Sequence, residues 1–305
     1  MDIKSPLTND SQVALEEELN CQKIIDAYRK HLDLDVSHYF QELESIKIYK
    51  CLTSGYRFFY PFSLVAKSDL YQKLQSNPNY YSLRWEHYQT ENLLQPENSV
   101  LEIGCGSGLF LEHLSQKKFR KLTGLEFNPQ AIESGTAKGL KILNQDIIDY
   151  AKEHPNYHDA VCSFQVLEHI SEVTPFLNAC INTLKVGGHL ILGVPNNNPY
   201  LFEYDKYHTL NLPPHHMGLW DQESLTNLPQ WFPIRLNRLM TEPLYEYDYY
   251  FNLKVAYLKE HAPLKGHFAE FLLMQLRPDR VRWKLKQILS RFLPGRNLLA
   301  IYTRI

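Results

Sequence analysis

The chain has 305 residues, of which 44% are hydrophobic and 22% charged, and its net charge is -2. That is enough apolar material for a full core in one large domain or two modest ones. A near-neutral balance offers no general basic surface to phosphates, so nucleic acid is not an expected partner. No run of about 20 apolar residues occurs, so no membrane span is expected. The opening residues, Met1-Asp2-Ile3-Lys4-Ser5-Pro6, lack the apolar centre of a signal peptide. Five scattered cysteines do not make a disulfide framework. A reducing, cytoplasmic setting is the expectation.

Residues 1–20 are polar and acidic, with Glu16-Glu17-Glu18, and are expected to be flexible. Residues 21–95 read as an N-terminal cap. Within it, 45–51 alternates as a strand does, Thr53-Ser54-Gly55 turns the chain, and 56–60 makes a second strand that Pro61 ends. A helix over 85–94 links the cap to a main domain spanning 96–305. There, apolar strands at 99–103, 121–127, 140–145, 159–164 and 189–194 alternate with helices at 110–115, 129–138 and 174–184. Such alternation predicts an α/β fold with a parallel sheet covered on both faces. Residues 195–220 are loop-like, with Pro195, Pro199, Pro213 and Pro214. Strands at 234–240 and 298–303 flank a helical insert over 245–295, with helices at 249–261 and 280–292.

The first strand of the main domain runs into Glu102-Ile103-Gly104-Cys105-Gly106-Ser107-Gly108. Glycines let backbone approach a ligand and take positive φ. In open α/β sheets ligands lie beyond the carboxyl ends of the strands. A dinucleotide site would share this turn, but its glycines are spaced Gly-x-Gly-x-x-Gly. Here they alternate, and Glu102 precedes the first by two residues. A carboxylate there repels a pyrophosphate and suits the cationic amino acid end of S-adenosylmethionine (SAM). Glu126 ends the next strand, where a carboxylate can accept both ribose hydroxyls. Asp146 ends the third, where it can accept from an adenine amino group; Asp149 is a nearby competitor, and acids are common in loops.

Together with Asp159–Ile170 and Leu184-Lys185-Val186-Gly187-Gly188, these residues resemble the class I SAM-dependent methyltransferases. The closest likeness is to the branch that includes ubiquinone-type O-methyltransferases and small-molecule enzymes of bacterial biosynthetic clusters. The resemblance is strong over 97–200 and looser over 45–305. It implies a Rossmann-like seven-stranded sheet of order 3-2-1-4-5-7-6, with the insert before the last strand. It implies that Glu102, Gly104, Cys105, Gly106 and Gly108 line the methionine part of SAM. Glu126 then holds the ribose, Phe127 and Asn128 flank the adenine, Asp146 and Ile147 read its edge, and Phe164 and Gln165 border the sulfonium and the acceptor. The product would be S-adenosylhomocysteine.

Leu212-Pro213-Pro214-His215-His216 follows the fifth strand, near the open methyl. Paired prolines stiffen the loop, and histidine is the side chain best placed to take a proton near neutrality. His215 or His216 is therefore a candidate general base, with His169 as the rival; structural packing or helix capping is the competing role. Several relatives carry a zinc ribbon of two Cys-x-x-Cys pairs. Here only Cys21 and Cys51 remain, and His31 or His38 would have to complete the set, so no metal is expected. The insert ends in a basic amphipathic stretch with Arg277, Arg280, Arg282, Lys284, Lys286, Arg291 and Arg296. Its apolar face is expected to pack on the domain or to form a homodimer. The function expected is methyl transfer to a small-molecule acceptor, most of all to oxygen. The alternatives are a non-catalytic SAM-binding partner subunit and an RNA or protein methyltransferase.

Overall fold

A computed structural model describes residues 3–66, 70, 74, 82–197, 205–245, 247–275 and 293–305. The basic stretch over 280–292 and Pro199 lie outside the described residues.

The chain begins with β1 (Val13–Asn20), α1 (Cys21–Leu32), β2 (Ser45–Cys51) and β3 (Arg57–Tyr60). The three strands pair antiparallel in that order, and β9 (Gly218–Leu219) joins the edge at β3. Pleating sends successive residues to opposite faces. On β2 and β3, Ile46, Ile48 and Phe59 enter a cap core with Ile24 and Tyr28 of α1 and with Leu212, Met217 and Leu219. Phe58 and Tyr56 enter the core of the main domain instead, where Tyr56 lies 4.3 Å from Trp220. The cap is thus a layer with two buried faces.

Two expectations are corrected here. Residues 13–20 are a paired strand, registered from Val13↔Cys51 to Asn20↔Ser45. Their acids do not loosen the segment because they form ion pairs: Glu16 with Arg57, Glu17 with Lys206 and Glu18 with Lys47. The cap is also not confined to 21–95, since its sheet takes in β1 and the distant β9.

The linking helix α2 (Trp85–Glu91) delivers the chain to β4 (Ser99–Ile103). Then follow α3 (Leu109–Gln116), β5 (Lys121–Leu125), α4 (Pro129–Thr136), β6 (Ile142–Leu143), α5 (Ile147–Glu153), β7 (His158–Phe164), α6 (Val173–Thr183) and β8 (Leu184–Pro195). After β9 come α7 (Gln222–Asn227), β10 (Ile234–Pro243), α8 (Tyr247–His261), α9 (Pro263–Gln275) and β11 (Pro294–Arg304). The large sheet has the order β10-β11-β8-β7-β4-β5-β6. Its strands from β6 to β8 are parallel, and β11 pairs antiparallel with both neighbours. Counted within this sheet the order is 3-2-1-4-5-7-6, as expected. The helical pair α8–α9 falls between the last two strands.

The central strand is buried throughout. Val100 and Leu101 are fully covered, because helices lie on both faces of a parallel sheet. Each such side chain stabilises the fold by about 1.5–3 kcal/mol relative to exposure. The cap is fastened to this domain by charge as well. Arg57 on β3 donates to Asp221, which is 1% exposed and also caps α7. Replacing Arg57 by alanine leaves that carboxylate buried without its cation and should lower stability by about 3 kcal/mol in urea unfolding.

Candidate active site

Strand β4 ends where the chain must leave the sheet and start α3. Gly104, Gly106 and Gly108 make that exit with φ of 68°, 54° and 75°. A Cβ at Gly104 would lie 2.4 Å from Val166 Cγ2, so the turn touches the segment that follows β7. Gly104→Ala combines this clash with positive φ. It should cost about 1–3 kcal/mol in thermal or urea unfolding.

Three carboxylates stand on the carboxyl edge of β4, β5 and β6. Glu102 is 4% exposed, and its Oε2 is buried without a hydrogen bond. Burial, and then the charge of Glu126, hold its carboxyl well above the usual carboxylate range. Glu126 is fixed by main chain. Its Oε2 accepts from Gly106 N at 2.8 Å, and its Oε1 accepts from Phe127 N at 2.8 Å and Asn128 N at 2.9 Å. A carboxylate has about four acceptor positions, so Glu126 keeps capacity for further donors. Asn128 caps α4 through Gln130 N and Ala131 N. Asp146 caps α5, its Oδ1 accepting from Ile148 N at 2.7 Å. Ile147 is buried, while Phe127 projects into solvent at 64% exposure. Cys105 is buried, and burial followed by Glu102 and Glu126 pushes its thiol up.

The carboxyl ends of β7 and β8 carry a second group. Phe164 packs edge-on against His87 and Phe110. Gln165 takes φ of 55° and its Nε2 donates to Glu86 Oε1 at 3.2 Å and Asn297 Oδ1 at 3.3 Å. Glu86, from the linking helix, is fully buried with Oε2 lacking a hydrogen bond. Burial raises its carboxyl above the ordinary value. The sequence assigns no role to Glu86, or to Glu168 beyond its place in the Asp159–Ile170 motif. An acid at the second position of a helix looks like a dipole partner, and Glu168 sits in a short turn, Leu167–His169, with no periodicity.

His169, His215 and His216 come together, with ring centroids 4.5, 4.7 and 4.7 Å apart. Main chain and one amide orient them. His169 Nδ1 lies 2.6 Å from the His215 carbonyl, His215 Nδ1 is 3.0 Å from the Leu210 carbonyl, and His216 Nδ1 is 3.3 Å from Asn211 Oδ1. Burial holds all three below the usual histidine range. His169 falls to about 4, against the His215 and Gln165 carbonyls, which favour its charged form. His215 and His216 lie well below, each depressed further by neighbouring histidines. Glu168 is 1% exposed, 4.0 Å from His216 Nε2. Burial raises it to about 8, helped by Glu86 and opposed by Arg84. Cys21 and Cys51 are buried and free, and among the described residues they enter no metal-ligand grouping.

One edge of the sheet therefore offers a glycine cradle, an unsatisfied carboxylate and a ribose-type acceptor, which fit SAM. No helix among the described residues is long and apolar enough to cross a membrane. A model of the methyltransferase domain family matches residues 73–232. The ubiquinone biosynthesis O-methyltransferase of Yersinia pestis (strain Pestoides F) is 28% identical over 110 residues, 33% of this chain and 44% of that protein. The chain thus spans less than half the length of that relative. A SAM-dependent methyltransferase from Archaeoglobus fulgidus has a similar structure, with a TM-score of 0.49 and 17% identity over 78% of this chain and all of the other. The Haloferax volcanii complex of the Trm112 methyltransferase activator with a methyltransferase gives 0.48 and 13%, over 78% of this chain and 94% of the other. The family match spans more than half of the sequence and takes in strands β4 to β8 and the glycine turn: the chain belongs to the class I SAM-dependent methyltransferases.

Proposed function

We propose that this protein methylates a hydroxyl oxygen of a small-molecule acceptor. The observation that carries the reading is the histidine cluster. His169 ends the short turn that follows β7, His215 and His216 precede β9, and the three rings meet on the carboxyl side of the sheet. The partial match to ubiquinone biosynthesis O-methyltransferases supports oxygen as the acceptor atom.

When bound, SAM supplies a methyl group already activated on a sulfonium. The chain's own part is placement and proton handling. Glu102, with Gly104, Cys105, Gly106 and Gly108, holds the amino acid end. Glu126 holds the ribose, Phe127 and Asn128 flank the adenine, and Asp146 with Ile147 reads its edge. Phe164 and Gln165 set the wall between methyl and acceptor, and Glu86 and Asn297 hold Gln165 in place. Orientation and exclusion of water supply most of the rate in such a transfer. The hydroxyl must also lose its proton, and His169, His215 and His216 serve that loss.

The test is purified protein with methyl-labelled SAM and a fractionated metabolite extract, the labelled product identified by mass spectrometry. Label on oxygen of a low-mass compound is the expected result. Label confined to nitrogen, or to RNA or protein, overturns the reading. SAM that binds but is never consumed marks a non-catalytic subunit instead.

A further inference from the structure

Three imidazoles and a buried carboxylate converge between the cap and the main sheet. One ring nitrogen each from His169, His215 and His216 lies within 4.8 Å of the other two. The Nδ1 atoms face the His215 carbonyl, the Leu210 carbonyl and Asn211 Oδ1. A ring nitrogen facing such an oxygen donates to it, which puts the hydrogen on Nδ1 and the lone pair on Nε2. Imidazoles held this way through one nitrogen are how proteins orient metal-binding histidines. Glu168 is the second, independent observation. Both of its oxygens are buried without a hydrogen bond, and Oε1 is 4.0 Å from His216 Nε2. A carboxylate so placed lacks the cation or donors that burial requires.

We propose that His169, His215 and His216 bind one divalent transition-metal ion, zinc by ligand chemistry, with Glu168 as the adjacent charge that offsets half of the ion's own. A nitrogen set of this kind suits zinc, whereas magnesium and calcium take oxygen ligands. Tetrahedral zinc with Zn–N near 2.1 Å needs nitrogens about 3.4 Å apart, so binding requires the three rings to draw closer than their present spacing of up to 4.8 Å. Three histidines leave a fourth position open, as catalytic zinc sites do. The site deepens the proposed function and rests on it for the ion's role. An acceptor hydroxyl in the open position would give up its proton to water at a lower pH than it does in solution. It also ties the segment leading into β9 of the cap to the turn after β7 of the large sheet.

Binding is measured on tag-free protein stripped with a chelator, without SAM or acceptor. Zinc is titrated against a chromophoric chelator, and cobalt(II) is added separately for its visible spectrum. The expected result is one equivalent bound at submicromolar Kd and the intense visible bands of four-coordinate cobalt. Affinity should weaken at least 100-fold in His215→Ala/His216→Ala and at least 10-fold in Glu168→Gln. The cobalt spectrum of the unaltered protein needs no variant to fold. Octahedral-type weak bands, or zinc binding no tighter than that of the folded double variant, overturn the site. That failure leaves hydroxyl methylation standing, and a zinc-binding protein that labels no oxygen overturns methylation alone.

Discussion

Glu102→Ala is expected to weaken SAM binding at least 100-fold by calorimetric titration, with the fold intact by circular dichroism. The carboxylate is buried at the end of β4 with an oxygen that no protein group satisfies. An ammonium group brought to it forms a charge-assisted hydrogen bond in a water-poor site. Deleting one partner of such a pair costs about 3–5 kcal/mol, or roughly two to three and a half orders of magnitude in Kd. Glu102→Gln keeps the shape and removes the charge, and should recover only part of the loss. The raised carboxyl adds a pH signature. The free protein holds a proton on Glu102 below that raised value, and the cationic ligand favours the ionised form. Affinity should therefore rise with pH, and binding below the raised value should release a proton. Titration in buffers of different ionisation enthalpy reads that proton directly. A folded Glu102→Gln that binds SAM within threefold of the unaltered protein would remove Glu102 from the site.

His216→Ala should lower kcat by about 100- to 1,000-fold while leaving SAM affinity within twofold. Loss of a group that manages a reacting proton has effects of this size. His216 touches Asn211 and approaches Glu168, not the glycine turn, so cofactor binding has no reason to change. Single-turnover measurement at saturating SAM separates the two quantities. His216→Gln, which keeps a hydrogen-bonding amide, guards against a packing defect as the cause. Turnover within threefold in both variants would make the cluster structural and leave placement as the whole of catalysis.

The parallel sheet was legible because its strands are continuous apolar runs that helices cover on both faces. The glycine turn was legible because its spacing and Glu102 carry electrostatic meaning in sequence. The helix α1 was not read, although Asn20 accepts from Lys23 N and Cys21, Ile24, Ile25 and Tyr28 share one face. The pattern is there at helical period, inside a stretch read only as part of the cap. Strand β1 reads as flexible from its sequence because its acids are balanced by Arg57, Lys206 and Lys47, partners that no single segment reveals. The histidines were legible as residues and not as a set. His169 sits about 46 positions before His215, and only the fold brings their rings together. Glu86 and Glu168 escaped notice for the related reason that burial, not residue type, makes a carboxylate unusual.

The returning strand β9 bears on how the protein becomes folded. Phe58 pairs with Gly218, about 160 residues later. Leu212, Met217 and Leu219 complete the cap core, and the Tyr28 hydroxyl donates to the Leu212 carbonyl. During synthesis, residues 13–60 emerge as a layer with an open edge and an unfilled interior. They wait for β4 to β8 to be made before the closing segment arrives. Contacts of such long sequence separation slow folding and prolong exposure of apolar surface. The cap therefore cannot consolidate until residues 209–219 have been made. It cannot be exchanged between relatives as a cassette unless residues 209–219 travel with it.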